Sequence, residues 1–335
     1  MIDFILDGES ISLIQSEGFQ LSRQSNYRDT SIQEMDDVLA KMQDGKHWKN
    51  AVEETFAESN PWLHSIITHP SRSKFLEEHP PTPDDLVLDI GAGWGQTALP
   101  LARTNRVCAL EPTPERLGFI QAAAQQEKVE KNLYFLGADY LDVDFKTRFD
   151  LILSIGVLEW VGAFRNDSSA KETQRIFLAK IRRELNKSGR LVIGIENRLG
   201  LKYLRGCRDD HTGKVDISCY QQDLANKLFQ EATGRELRCL TYSMSEYQNM
   251  LLAAGFSSIK FHAAFPDYKL PQVILPANGC NTVNNFFKSG QFIAEHDGCD
   301  GQEIPEQEKL KSLYLSLAEI GIAHYFAPSF FIECS

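Results

Sequence analysis

The chain contains no C-x-x-C pair. Its seven cysteines, Cys108, Cys207, Cys219, Cys239, Cys280, Cys299 and Cys334, are scattered and odd in number. That pattern excludes a disulfide framework and predicts reduced thiols, hence a cytoplasmic setting. Long apolar runs are also missing. The longest, Leu151 to Phe164, is too short to span a bilayer and contains Glu159. The first residues carry Asp3, Asp7 and Glu9 among their apolar neighbours, so no signal peptide is expected. Positive charge is scarce: 35 Lys and Arg stand against 46 Asp and Glu, a net charge of −11. Broad binding to nucleic acid or to an anionic membrane needs the opposite field, although a local basic pocket stays open. What remains is an ordinary globular composition, 42% hydrophobic and 24% charged, in 335 residues. Such a chain can bury one large core or two modest ones.

The most informative stretch is LVLDIGAGWGQT, residues 86–97. A short apolar run ends in Asp89-Ile90, and glycines follow at Gly91, Gly93 and Gly95. A stretch rich in Ala and Leu comes next, through Leu99, Leu101 and Ala102. This reads as a buried strand, a tight glycine turn and a helix start. Glycine lets backbone approach a ligand closely, and a helix N-terminus offers unpaired N–H groups. A dinucleotide fingerprint needs G-x-G-x-x-G. Counted from Gly91, its third glycine would stand at 96, which is Gln96.

The spacing acidic-x-G-x-G-x-G instead resembles motif I of the class I S-adenosylmethionine-dependent methyltransferases. The resemblance extends over residues 80–265. Arg106 to Leu110 reads as a second strand ending in Glu111-Pro112, and Leu133 to Leu136 as a third ending in Gly137-Ala138-Asp139-Tyr140. Phe149 to Gly156 reads as a fourth, and Leu185 to Ile193 as a helix end, a glycine stop at Gly189 and a fifth strand. The resemblance implies a Rossmann-like α/β fold, with a seven-stranded, mostly parallel sheet whose last strand is antiparallel. It implies S-adenosyl-L-methionine as cofactor, held by Asp89, Gly91, Ala92, Gly93, Glu111, Asp139, Tyr140 and Ser154. Glu111 would take the ribose hydroxyls and Asp139 the adenine amino group. The alternation of apolar runs with helical stretches points independently to βαβ units and a parallel sheet covered on both faces.

Further elements follow from local signals. After Asn166, Ser169 and Glu172 have capping-box spacing, with Phe177, Ile181 and Leu185 on one face. Ser243 and Glu246 open another helix, which stops at Gly255. Phe256 to Ala264 reads as the sixth strand and residues 328–334 as the seventh. Residues 1–80 are expected to form an N-terminal cap, with a strand pair from Phe4 to Leu21 around Asp7-Gly8 and Glu17-Gly18. Helices are expected over 31–58 and 66–78, and Pro80, Pro81 and Pro83 make a stiff link into the core. Residues 81–268 would be the methyltransferase core, 269–325 an insertion and 326–335 the final strand. In the family such a cap commonly covers part of the substrate site, which would bring His64, His69 and Arg72 toward substrate; each also reads as a structural residue.

Open α/β sheets bind ligands past the carboxyl ends of their strands. The fourth strand runs into Glu159, and the fifth into Glu196, Asn197 and Arg198. Beyond them come Arg208 and the cluster Asp209-Asp210-His211-Thr212-Gly213. The segments ENRLGLKY, DHTG and PDYKLP are similar to ones in bacterial methyltransferases of glycan and surface-polysaccharide synthesis. The resemblance therefore implies a small-molecule or glycan acceptor methylated on a hydroxyl oxygen. Glu196, Asn197 and Arg208 are the candidate acceptor contacts. Methyl transfer from a sulfonium is mostly positioning, which can supply about 7–11 kcal/mol. An alcohol must also lose its proton, and a base adds about 10²–10⁴-fold. His211 is the first candidate, oriented by Asp210 or Asp209, and Glu159 the second; the cluster also reads as a plain turn. Asp209, Asp210 and His211 offer two carboxylates and an imidazole that could hold a divalent ion and acidify a sugar diol. Adjacent side chains rarely converge on one ion, however, and no second ligand pair is identifiable, so no metal is expected. Arg198, Lys202, Arg205 and Arg208 read as an anion-recognition set or a solvated basic face. A nicotinamide oxidoreductase and a methyltransferase-fold binding protein are the competing readings; Gln96 and Asp139 count against the first, and the acidic positions 89, 111 and 139 against the second. Oligomeric state is open.

Overall fold

The computed structural model describes residues 1–6, 8–20, 27–165, 168–279, 281–297, 300–302, 304 and 306–335. Asp7, Leu21, Asn166, Cys280 and Cys299 lie outside the described residues. The chain divides into two compact units: Met1–Ile155 with Arg183–Leu191, and Gly156–Arg182 with Val192–Ser335.

The first unit holds β1 (Ile2–Leu6), β2 (Glu9–Leu13), β3 (Gly18–Gln20), β4 (Leu86–Ile90), β5 (Arg106–Leu110), β6 (Leu133–Gly137), β7 (Asp144–Phe145) and β8 (Phe149–Ile155). It also holds the opening of β9 (Leu185–Glu196). Its main sheet runs β9–β8–β4–β5–β6–β3. The pairs β4/β8, β4/β5, β5/β6 and β3/β6 are parallel. Every residue of β4 and β6 is buried, as expected of parallel strands covered on both faces. β1 and β2 form the expected antiparallel hairpin, and β1 also pairs with β7. The pairing of β3 with β6 was not foreseen, because Gly18-Phe19-Gln20 is too short to show a period.

The second unit holds the end of β9 with β10 (Ile259–Phe265), β11 (Val273–Pro276) and β12 (Ser329–Cys334), in the order β11–β10–β12–β9. β12 is antiparallel to β10 and lies between β9 and β10, the position expected for the last strand. β11, from the expected insertion, adds an antiparallel strand beyond β10. The result is an α/β fold with a mostly parallel sheet and antiparallel strands at the chain's end, as in class I methyltransferases. It has more strands than the seven expected, because β3 and β11 extend the edges.

Local expectations met three revisions. The stretch after the glycine turn forms only one helical turn, Ala98–Leu101. Turn-forming Thr104 and Asn105 follow, and the Asn105 side chain donates to the Thr82 carbonyl (2.7 Å). Gly189 is no helix stop, because the helix Ala170–Glu184 runs straight into β9. A Cβ at Gly189 would lie 2.8 Å from the Phe149 carbonyl, so glycine permits close strand approach. The cap helices are shorter than read: Ile32–Gln43 and Trp48–Phe56 are separated by Gly45 at φ +90°, and Pro61–Thr68 is capped by Asn60 and ended before Pro70. The expected capping box at Ser243–Glu246 is formed, and the Ser169 hydroxyl accepts from Glu172 N–H (3.2 Å); Ser31–Glu34 adds a capping box that was not foreseen.

Candidate functional site

The glycine turn of the first unit needs its glycines. Gly91, Gly93 and Gly95 have φ of +66°, +58° and +78°, a region costly to side chains with a Cβ. A Cβ at Gly95 would also press on Ile120 and Leu99 at 3.2 Å. The turn is pinned to the next strand, where Gly91 and Ala92 N–H both donate to the Leu110 carbonyl (2.8 and 3.0 Å).

Glu111 closes this loop. Buried just after β5, it accepts from Gly93 N–H and Thr113 N–H, both at 2.9 Å. Burial pushes its carboxyl up, while Arg116 and the two N–H donors pull it down; the net direction is upward. Arg116 stands 3.8 Å from Glu111 and pairs with Asp29 at 2.5 Å. Trp94 Nε1 donates to the same aspartate (3.1 Å), and its ring packs edge-on against Phe56 and Phe119. Asp29, Trp94 and Arg116 were missed as site residues. Arg116, five residues past Glu111 in the opening turn of the helix Pro114–Glu127, was the one available signal.

Asp89 is 2% exposed, and its Oδ2 has no hydrogen-bond partner among the described residues. Burial raises its pKa to about 7; the Arg72 charge and the Ala98 N–H oppose that rise, and Glu111 adds to it. Arg72 is therefore felt at Asp89, and His69 caps its own turn through Nδ1. Ser154 is fully buried, with its hydroxyl unpartnered among the described residues. Asp139 is exposed and accepts from Leu141 N–H (2.9 Å). Tyr140 is buried and donates its hydroxyl to Glu184, which also accepts from Phe145 N–H (3.0 Å). That hydroxyl is thus occupied within the protein.

The second unit gathers Glu159, Glu196 and His211, which lie far apart in sequence. Glu159 sits on the turn Leu158–Trp160, and Glu196 ends β9. His211 Nε2 lies 3.6 Å from Glu159 Oε1 and 3.6 Å from Glu196 Oε2. Its backbone N–H donates to Asp209 Oδ1 (3.0 Å), and Nδ1 lies 4.0 Å from that oxygen. The Trp160 ring packs edge-on to the imidazole at 5.3 Å. Burial pulls the His211 pKa down, but Glu196, Glu159 and Asp209 outweigh it and raise it to about 10. The neighbouring carboxylates thus favour the protonated ring, a departure from the freely titrating imidazole expected.

Asp210 does not orient His211. It pairs with Lys269 (2.7 Å), which also binds Glu196. Burial pushes the Asp210 carboxyl up, but Lys202, Lys269 and His211 overcome it and hold it far below its usual range. Lys269 was missed because nothing in its neighbouring sequence marks it as a partner of residues 196 and 210. Asn197 is an anchor: its amide donates to the Tyr325 and Ala327 carbonyls, both at 2.8 Å. Arg208 is half-exposed and paired with Asp297 and Asp300. Arg198 pairs with Glu246, Arg205 with Glu306, and Lys202 is buried among Asp210, Asp267 and Glu295. The three arginines are therefore ion-paired and Lys202 is buried with its Nζ donating to the His296 carbonyl (3.4 Å), so the set is neither a bare basic face nor an open anion site. A cavity of about 610 Å³ opens beside this region, lined in part by Asp209, Thr212, Cys239, Tyr242, Arg198 and Glu246.

Residues 88–193 match a family model described as a methyltransferase domain. That segment therefore reads as a methyltransferase domain, in agreement with the resemblance carried by the glycine turn. No curated protein matches it. Solved structures that resemble this chain include the CcbJ methyltransferase of Streptomyces caelestis, at 16% identity over 66% of this chain and 90% of that one, with TM-score 0.47. Phosphoethanolamine N-methyltransferase 2 of Haemonchus contortus, solved with S-adenosylhomocysteine and phosphomonomethylethanolamine, matches at 12% identity over 88% and 59%, TM-score 0.45. A chain from Nostoc punctiforme matches at 16% identity over 70% and 64%, TM-score 0.41. The chain spans less than two thirds of the Haemonchus and Nostoc chains.

Proposed function

We propose that this methyltransferase uses S-adenosyl-L-methionine to methylate a hydroxyl oxygen of a small-molecule or glycan acceptor. One observation carries the cofactor reading: three left-handed glycines in a loop pinned to β5 and closed by the buried carboxylate of Glu111. Gly91, Ala92 and Gly93 would face the methionine part of the cofactor and Glu111 the ribose. Asp139, exposed at the end of β6, would meet the adenine. Asp89 and Ser154 supply buried polar atoms on the adjoining strands, and Tyr140, next to Asp139, would border the adenine. Residues 1–80 are read as a cap and 269–325 as an insertion in the core.

The acceptor reading rests on Glu159, whose Oε2 is buried and has no hydrogen-bond partner among the described residues. A buried lone pair of that kind can accept an alcohol proton. His211 would position Glu159 and Glu196, and Lys269 and Asp210 would hold the frame. Polysaccharide synthesis is the setting suggested by the segments around Asn197, His211 and Tyr268.

Calorimetry with S-adenosylmethionine and with NADH tests the cofactor. Binding of the first and not the second is expected, with at least ~10-fold weaker binding in Glu111→Gln, since a charge-assisted hydrogen bond contributes about 1.5–3 kcal/mol. Tight NADH binding would overturn it. Glu159→Gln should keep cofactor affinity and lose about 10²–10⁴-fold in turnover with an alcohol acceptor; unchanged turnover would remove Glu159 as the base.

A further inference from the structure

Three donors in the second unit meet at one point. Glu159 Oε1 and Glu196 Oε2 each lie 3.6 Å from His211 Nε2, and the donor atoms of all three residues fall within 4.8 Å of one another. Two ligands bonded at ~2.1 Å to one tetrahedral ion stand roughly 3.4 Å apart, so little movement separates this arrangement from a coordination shell. Glu159 and Glu196 are 1% and 2% exposed. Glu196 Oε2, the oxygen turned to the imidazole, has no hydrogen-bond partner among the described residues. A buried carboxylate oxygen without a donor is costly unless something else takes that place.

We propose that Glu159, Glu196 and His211 bind a divalent metal ion of intermediate hardness, such as Mn²⁺ or Zn²⁺. Two carboxylates and one imidazole suit such an ion. Asp209 is placed to supply the outer support that a ligating histidine needs: it accepts from the His211 backbone N–H and stands 4.0 Å from Nδ1, the ring nitrogen left over when Nε2 ligates. Lys269 occupies Glu196 Oε1 and Asp210, leaving Oε2 for the metal. Three protein ligands leave a further position for an oxygen ligand, and an ion there would acidify a bound hydroxyl. This deepens the acceptor half of the proposed function but rests on the donor geometry alone. It revises the expectation from sequence that no metal binds. The adjacent acids Asp209 and Asp210 are not the ligands; two glutamates distant in sequence are.

The full chain, freed of metal and without methyl donor, is titrated with Mn²⁺ while the signal of the free aquo ion is followed by electron paramagnetic resonance. One bound ion per chain is expected. Affinity should fall at least ~10-fold in Glu196→Gln and in His211→Gln, with unchanged affinity in the exposed control Glu172→Gln. Circular dichroism confirms that each variant is folded, and a variant that fails is replaced by Glu159→Gln. A folded wild-type chain that leaves the signal at its free level up to millimolar Mn²⁺ would overturn the proposal, as would equal affinity in the folded ligand variants. Cofactor affinity measured on the same preparations separates this failure from failure of the methyltransferase reading.

Discussion

Asp89 shows how one buried carboxyl can make stability depend on pH. Its pKa is raised from 3.8 to about 7, chiefly by burial. The folded state therefore binds its proton more tightly than the unfolded chain does. The resulting stabilisation is complete below about pH 4 and is lost as pH rises through 7. Asp89→Asn keeps the neutral form at every pH. The variant should be more stable than the wild type above pH 7, by up to about 4 kcal/mol, with the gap narrowing toward pH 4. Urea denaturation at pH 5 and pH 8.5 measures it; a difference that does not grow with pH would refute the assignment. Glu295 is also raised to about 7 by burial, but it is present in both proteins and drops out of the comparison.

At the scale of elements, the loop after β10 is tied to the segment after β9 by charge. Lys269 bridges Glu196 and Asp210, 73 and 59 residues away in sequence. Removing one partner of a buried pair leaves uncompensated charge, which costs about 3–5 kcal/mol. Lys269→Met should lose that much stability in chemical denaturation; a loss below about 1 kcal/mol would mean that water replaces the ammonium. The same element scale separates what was readable from what was not. Strands β4, β5, β6 and β8 were legible because each is a short apolar run ending in a marked residue. The capping box at Ser243–Glu246 was legible because Ser and Glu three residues apart satisfy each other locally. The one-turn helix Ala98–Leu101 was not, since its end depends on the distant Thr82 carbonyl. The strand role of Gly189 was not, because a glycine in a turn-like context gives the same local signal in either setting.

For the whole molecule, the charge balance is the dominant property that composition alone supplies. A net charge of −11, with its most clustered cations already paired to carboxylates, leaves no broad positive field. The protein should pass a heparin column at ~0.1 M salt without retention; retention released by higher salt would reveal a basic surface. Among the described residues no helix is long and apolar enough to cross a membrane.

The sequence by itself determined the α/β class, the order of the main strands and the glycine turn with its acidic neighbours. These are written in contiguous residues, where backbone preference and apolar period act over a few positions. Tertiary structure alone decided which charges meet. It gave Arg116 to Asp29, Lys269 to Asp210, and Glu159 and Glu196 to His211, and it turned the clustered arginines into ion pairs. Electrostatic partnership depends on distance in space and on exclusion of water. Neither is recorded in the spacing of residues along a chain.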